Sequence, residues 1–264
     1  MKSDVLLSVC SLKAGYGEKE VLREVSFEIE PGTLVCLMGA NGSGKTTLLK
    51  CLANQMHHKG NCYLKGSKLE NRKVRSLAEA ISYIPQKSGV SIELPVLDVV
   101  LMGCNAKLGL LQYPGKKHKE QALKSLKKVG LEKESQRNYL SLSEGQKQLV
   151  ILARMLVEET TLLLLDEPDS ALDVSNRYRM MEQLKDMIKG QEKAAVLCLH
   201  DPLLALEFCD EILLLKEGNI YEILKPEKDS TEKMEQALQN IFGKIRLLEC
   251  FDKEGKRHFS LLGL

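Results

Sequence analysis

Gly39-Ala40-Asn41-Gly42-Ser43-Gly44-Lys45-Thr46-Thr47 is the stretch that decides how the chain folds. Gly39 and Gly44 enclose four residues, and Lys45 and Thr46 follow. That is the spacing of a loop that cradles phosphates. Leu34-Val35-Cys36-Leu37-Met38, just upstream, is a continuous apolar run and predicts a buried strand. Leu48, Leu49, Cys51 and Leu52 recur at helical spacing downstream and predict the inner face of a helix. Glycines let the backbone turn its amides inward and let an anion approach with no Cβ in the way. The loop ends at a helix N-terminus, where unpaired amides and the helix dipole favour negative charge. Lys45 supplies a point charge for β- and γ-phosphates, and the Thr46 hydroxyl is a ligand suited to Mg²⁺. A nucleoside triphosphate is the expected ligand.

A second signal lies at Thr161-Leu162-Leu163-Leu164-Leu165-Asp166-Glu167-Pro168. The apolar run has no polar alternation, which predicts a strand buried on both faces, as in a parallel sheet. Asp166 and Glu167 stand at its C-terminal end, where open α/β sheets bind ligands. Asp166 is placed to hold Mg²⁺ directly or through water, and Glu167 to polarise an attacking water. Ala194-Ala195-Val196-Leu197-Cys198-Leu199 predicts another buried strand and runs into His200, which therefore shares the edge with the two carboxylates. Taken singly, each of these three polar residues also fits a purely structural role.

The remaining elements surround this core. Residues 5–30 alternate as antiparallel strands around Gly15-Tyr16-Gly17. A tyrosine on such a loop can stack on a base or serve only as a turn residue. Ala80 to Gln86 predicts a strand stopped by Pro85, and Gln86 opens a loop running through Gly89 to Pro95. From Val96 to about Leu140 the apolar stripes have helical spacing, with a loop over Gly109–Gly115, so a helical subdomain is inserted into an α/β chain. Ser143 precedes Glu144-Gly145-Gln146 as a helix cap does, with a helix expected over Gln148–Val157. Ser170-Ala171-Leu172-Asp173 leads into a helix around Met180 to Ile188. Glu211 to Ile220 predicts a hairpin. Thr231–Phe242 predicts an amphipathic helix, and Ile245–Phe251 with Arg257–Leu262 a final hairpin.

Composition bounds the class. With 264 residues, 44% hydrophobic and 28% charged, the chain is globular. A formal net charge of +2 gives no bulk attraction to nucleic acid. Lysines do cluster at Lys116-Lys117-His118-Lys119, Lys124 and Lys127-Lys128, either as a solvated helix face or as a patch for an acidic partner. No apolar run is long enough to span a bilayer, and the residues after Met1 are not expected to act as a secretion signal. None of the 8 cysteines forms a C-x-x-C pair, so reduced thiols in a cytosolic setting are expected.

These motifs, in this order over about residues 5–225, make the chain resemble the ATP-binding subunit of an ABC transporter. The resemblance implies a P-loop NTPase core with a mostly parallel sheet, an N-terminal antiparallel β subdomain and a helical insert at about 87–145. Residues 1–225 would form the ATPase domain and 226–264 a C-terminal extension. Gly39 to Thr47 match the Walker A loop, with Asn41, Gly42, Ser43, Gly44, Lys45, Thr46 and Thr47 binding ATP. Tyr16 matches the adenine-stacking aromatic, Gln86 the Q-loop, Leu142 to Gln146 the signature, Asp166 and Glu167 Walker B with the catalytic glutamate, Ser170 to Asp173 the D-loop, and His200 the switch histidine. The resemblance implies a head-to-tail dimer in which Ser143, Gly145 and Gln146 serve the partner's γ-phosphate. Glu167 would be the base, His200 the clamp on phosphate and water, and Gln86 a Mg²⁺ contact and nucleotide sensor. Separate permease subunits, indirectly a substrate-binding protein, and no nucleic acid would be its partners, at the cytoplasmic face of the membrane. Two departures stand out: Glu144 replaces the signature's first glycine and is expected to point away from phosphate, and Asp169 replaces the usual threonine and is expected at the dimer seam.

Within the family, Leu94 to Gly103, the chain length and the final hairpin resemble the importer branch for iron chelates, haem and cobalamin. The alternatives are a soluble ABC-type ATPase in iron–sulphur assembly or DNA repair, and a non-hydrolysing nucleotide-binding module. The missing coiled-coil or zinc insertion speaks against DNA repair, and Glu167 with His200 against the module.

Overall fold

A strand without polar alternation needs apolar partners on two sides, and the computed structural model, which describes residues 5–86, 90–109 and 112–263, supplies them. Its antiparallel sheet is formed by β1 (Leu7–Tyr16), β2 (Lys19–Ile29), β4 (Lys59–Leu64) and β5 (Ser67–Lys68), in the order β2-β1-β4-β5. The central sheet contains β3 (Leu34–Met38), β6 (Ile81–Ile84), β7 (Leu162–Asp166), β8 (Ala194–Cys198), β9 (Glu211–Lys216) and β10 (Asn219–Leu224). Its order is β10-β9-β3-β8-β7-β6, with only the edge strand β10 antiparallel to its neighbour. The fold is thus the mixed α/β arrangement expected.

Alternate residues of the central strands enter different cores. Val35 and Leu37 of β3, Leu162 and Leu164 of β7, and Val196 and Cys198 of β8 pack toward the antiparallel sheet. The helix α1 (Lys45–Leu52) joins them there through Leu48, Leu49, Cys51 and Leu52. Leu34, Cys36 and Met38, Leu163 and Leu165, and Ala195 and Leu197 face the opposite core. That core takes residues from α3 (Val96–Leu101), α4 (Lys116–Lys128), α5 (Glu144–Glu158), α6 (Val174–Ile188), α7 (Pro202–Phe208) and α8 (Thr231–Phe242). A short, largely exposed α2 (Val74–Ala80) precedes β6.

Parallel register aligns the strand ends. Ile84 lies opposite Leu165, Asp166 opposite Cys198, and Cys198 opposite Leu37. The segments that leave β3, β6, β7 and β8 therefore start from one edge, which is how residues 39, 86, 167 and 200 become neighbours.

Two helices, α2 and α7, were not expected, and α5 begins at Glu144 rather than Gln148 because Ser143 caps it directly. Part of the loop expected from Gln86 through Gly89, residues 110–111 of the Gly109–Gly115 loop, and residues 1–4 lie outside the described residues. Among the described residues no helix is long and apolar enough to cross a membrane.

Beyond β10, α8 is followed by the hairpin of β11 (Ile245–Phe251) and β12 (Arg257–Gly263). Ile245 and Leu247 anchor it in the core, and β12 contacts α7. His258 bridges the two parts: Nδ1 lies 2.9 Å from Glu207 of α7, and Nε2 3.0 Å from Asp252 of the hairpin turn. Lys256 also pairs with Glu207.

Asp252 first and Glu207 second hold the His258 imidazole above its usual range. A histidine raised in the folded state stabilises it at low pH, and that stabilisation disappears as pH rises through the folded value. We expect hairpin amides to exchange faster as pH climbs past neutrality, beyond the intrinsic pH effect on exchange. His258→Gln should remove that extra slope, and an identical profile in the variant would show that docking does not depend on the imidazolium.

Candidate active site

The glycine loop turns from β3 into α1, and each glycine there has its own reason. A Cβ on Gly39 would sit 2.2 Å from the Leu215 carbonyl oxygen and 2.7 Å from Ser43 Oγ. One on Gly44 would sit 2.7 Å from Leu22 Cδ2, and Gly44 adopts φ +110. Gly42 has open space around it but φ +80, a conformation that L-residues rarely hold. Lys45 is buried, and its Nζ donates to the carbonyl oxygens of Gly39 at 2.8 Å and Ala40 at 3.3 Å. Its ammonium thus sits over the loop. The loop, α1's first amides and that charge form an anion cradle.

Asp166 ends β7 and is only 3% exposed. Its Oδ1 is buried with no hydrogen-bond partner, an arrangement that costs free energy unless something positive or a donor meets it. Burial pushes its carboxyl upward, and the Thr46 hydroxyl, the Cys198 thiol and Lys45 oppose that shift. A hard divalent cation fits this site: a buried carboxylate with one orphan oxygen, in hydrogen-bond reach of the Thr46 hydroxyl at the end of the loop. Among the described residues no cluster of three or more His, Cys, Asp or Glu could cage a metal alone. One carboxylate plus phosphate oxygens is the usual way to hold Mg²⁺.

Glu167 takes φ +52, in the left-handed region, which is uncommon for a residue with a Cβ and recurs at functional sites. That turn sends its side chain between two others. Gln86 Nε2 donates to Oε2 at 2.5 Å, and His200 Nε2 lies 2.6 Å from Oε1. The structure therefore brings together three residues that lie far apart in sequence, with both oxygens of one carboxylate engaged.

The loop and Glu167 line a cavity of about 540 Å³, large enough for a nucleotide. Tyr16, 55% exposed, forms part of its wall. Lys19, Arg23, Glu217 and Gly218 line it too, and the sequence reading missed them. Gly218 packs so closely on β2 that a Cβ there would lie 2.3 Å from the Val21 carbonyl oxygen. This wall exists because the β9–β10 turn closes on β2, a contact with no local sequence signal.

Ser143, Gly145 and Gln146 do not line this cavity. Ser143 and Gln146 form a reciprocal cap on α5: Ser143 Oγ accepts from the Gln146 amide at 3.3 Å, and Gln146 Oε1 from the Ser143 amide at 3.1 Å. Gly145 fits against the segment between β7 and α6, since a Cβ would lie 2.8 Å from the Ala171 carbonyl oxygen. Glu144 points into solvent and pairs with Lys147 at 2.7 Å. Asp173 caps α6, accepting from the Asn176 amide at 2.8 Å. Asp169, expected at the dimer seam, is 4% exposed in the single chain, its Oδ1 has no partner, and burial raises its carboxyl.

The family model for "ABC transporter" matches residues 22–170. The chain belongs to the ABC transporter family, as an ATP-binding subunit. A "Probable iron chelatin transport ATP-binding protein" of Helicobacter pylori is 35% identical over 219 residues, 82% of this chain and 86% of that one. The manganese transport ATP-binding protein of Halalkalibacterium halodurans is 30% identical over 84% of this chain and 89% of its own. Among solved structures, a transporter assigned to the metal-chelate type, in an inward-facing conformation, superposes with TM-score 0.81 at 27% identity over 98% of both chains. The dimeric cassette MJ0796 gives 0.76 at 27% identity over 84% of this chain and 99% of its own. The same cassette is also known as a post-hydrolysis dimer holding ADP and phosphate. This chain is accordingly an ATPase that binds nucleotide, and cassettes of its family form dimers.

In this ATPase the orphan Asp166 oxygen is a stability liability. Because burial raises its carboxyl, the folded chain keeps that proton to higher pH than the unfolded chain does. Its contribution to stability therefore falls as pH rises through the carboxylate range and is least favourable at neutrality. Asp166→Asn should stabilise the nucleotide-free chain at neutral pH by roughly 1 kcal/mol, read from denaturant midpoints. A lower midpoint would mean that the carboxylate has a stabilising partner.

Proposed function

We propose that this subunit hydrolyses Mg²⁺-bound ATP to power import of an iron chelate, haem or cobalamin through separate membrane permease subunits. One observation carries the substrate class: the likeness to the metal-chelate type transporter spans 98% of both chains, including the C-terminal helix and hairpin. The dimeric MJ0796 cassette matches only 84% of this chain. The iron-chelatin relative supports the same reading. The reading places the subunit at the cytoplasmic face, against its permeases, with a substrate-binding protein delivering cargo on the far side.

Each proposed step uses residues already described. The loop amides and Lys45 hold the β- and γ-phosphates, and Tyr16 stacks on the adenine. Thr46 and Asp166 would hold Mg²⁺, with the Gln86 amide oxygen nearby; the ion, when bound, neutralises charge on the phosphate oxygens. Glu167 takes a proton from the attacking water as its oxygen bonds to the γ-phosphorus and the bond to ADP breaks. His200 and Gln86 fix the direction of that carboxylate. Most of the rate gain is positioning and electrostatic preorganisation rather than covalent chemistry.

The proposal is completed by a second copy packed head to tail, whose Ser143, Gly145 and Gln146 reach the γ-phosphate. A helix start serves that purpose, since α5's capped N-terminus carries positive dipole charge. Asp173 of the D-loop would lie at the same seam. Residues 1–225 are proposed as the ATPase domain, with the helical insert at about 87–145 contacting the permeases, and 226–264 as an extension.

Glu167→Gln keeps the shape and removes the base, so turnover should fall by at least ~100-fold while ATP affinity stays within a few-fold. Lys45→Ala should abolish nucleotide affinity, measured by fluorescent nucleotide titration. Coexpression with its membrane partners tests the transport reading. A complex whose ATPase rises only with a chelate-loaded binding protein supports it, and recovery solely in soluble complexes would favour the soluble ATPase alternative.

A further inference from the structure

The helix α4 carries a charge pattern that neither the nucleotide site nor the fold explains. Lys116, Lys117, Lys119, Lys124, Lys127 and Lys128 are all exposed, and Glu120 is the helix's one acidic residue. Among the described residues none of the six lysines forms an ion pair, although Lys107 nearby does, with Glu159 at 2.8 Å. Since the whole chain carries only +2, this one helix gathers more positive charge than the entire protein retains.

Intrinsic helix stability does not call for this arrangement. Lys116 and Lys117 begin the helix, and its first turn contains no acidic residue. Cations there oppose the helix dipole, which favours negative charge at an N-terminus. Lys124 stands three and four residues before Lys127 and Lys128, spacings at which like charges repel. The helix start is held instead by His118, whose Nδ1 accepts from the Gly115 amide at 3.1 Å. The helix end is held by Arg179 and Gln183 of α6, which donate to the Lys128 carbonyl oxygen at 2.9 and 2.6 Å. Hydrophobic anchoring comes from Ala122 and Leu126, which are fully buried. With the helix secured by these contacts, its lysines are free for another task.

Their geometry selects the partner. At 100° per residue, Lys116, Lys117, Lys124, Lys127 and Lys128 fall within an arc of about 120°, opposite the side that buries Ala122, Ser125 and Leu126. The stripe is roughly 20 Å long and convex. Tyr113, 89% exposed, stands three residues before the helix, and an exposed tyrosine with an apolar ring and a polar tip suits a headgroup layer. A row of separated ammonium groups beside one aromatic suits a broad anionic surface rather than a discrete phosphate, which takes convergent donors. Nucleic-acid readers rely more on arginine forks and stacking platforms, and this helix has no arginine.

We infer that the lysine stripe of α4 is a docking surface for anionic lipid headgroups, holding the ATPase against the bilayer that contains its permease. This rests on the reading of the chain as a transporter subunit, but its test uses lipid binding by the chain itself and is independent of transport. Electrostatic adhesion of this kind works within a Debye length of the surface, under about 10 Å in physiological salt.

The full chain should co-sediment with vesicles of phosphatidylcholine containing about 30% phosphatidylglycerol, an anionic surface of the kind that attracts polybasic segments, and not with phosphatidylcholine alone. Binding should vanish at high salt. Each lysine replaced by glutamine should weaken partitioning about fivefold, and all five together by at least ~100-fold. The five-lysine variant should retain its ATPase activity and nucleotide affinity, which shows that it folds. Unchanged vesicle binding in that variant, or equal binding to neutral vesicles, would overturn the inference. So would tighter binding of the stripe to a duplex oligonucleotide or to an acidic polypeptide than to the anionic vesicles.

Discussion

Burial of β3, β7 and β8 on both faces leaves those strands only their ends for chemistry. Every residue of the three is buried, so only the C-terminal ends, where Asp166 closes β7, can present a side chain to a ligand. Parallel pairing then sets the C-terminal ends level, and the segment leaving each strand is delivered to the same edge. The glycine loop leaves β3, Glu167 comes directly after β7, and His200 lies just past β8. The site is thus a consequence of sheet register rather than of any local motif alone. A slip of one residue in β7 would exchange the two cores' side chains and carry Glu167 away from the loop with them.

Within that frame Glu167 is the point at which three strands communicate. Its left-handed backbone is costly for a side-chain-bearing residue, by about 1–3 kcal/mol, yet it directs the carboxylate between Gln86 and His200. Gln86 lies two residues beyond β6, at the border of the helical segment, and His200 leads into α7, against which the C-terminal hairpin packs. Movement of either neighbouring element therefore reaches the carboxylate through one hydrogen bond. Coupling of hydrolysis to distant motion needs a two-state element that both sites bias, and a carboxylate with both oxygens engaged by separate segments has the connectivity for one.

Much of this was legible in the sequence because it rests on local rules. Glycine spacing before Lys45 encodes a loop, an apolar run before Asp166 encodes a doubly buried strand, and Ser143 before Glu144-Gly145-Gln146 encodes a cap. The parts that could not be read depend on long-range packing. Lys19, Arg23, Glu217 and Gly218 wall the cavity only because the β9–β10 turn closes on β2. The helix α7 is seven residues long, too short for periodicity to declare it, and Asp201 capping it resembles any polar loop residue. The destination of Asp169 was equally hidden, since an aspartate in a Pro-Asp-Ser turn is ordinarily solvated.

That last residue and Glu144 make an instructive pair. Both carry a carboxylate beside a segment of the candidate site, and solvent decides what each does. Glu144 is exposed and tied to Lys147 on its own helix; such a pair is worth about 0–1 kcal/mol and is screened by salt. Its charge is directed outward and leaves α5's N-terminal amides available. Asp169 has no such outlet. It is desolvated, with one oxygen orphaned, and the charges of Arg177 and His200 oppose the rise that burial imposes. Arg177 meanwhile donates to the Leu172 carbonyl oxygen at 2.9 Å, in the segment between β7 and α6. Asp169 therefore lies within electrostatic reach of both Arg177 of α6 and His200 after β8. Its charge thus acts between Arg177 and His200 rather than in the nucleotide-sized cavity, which it does not line.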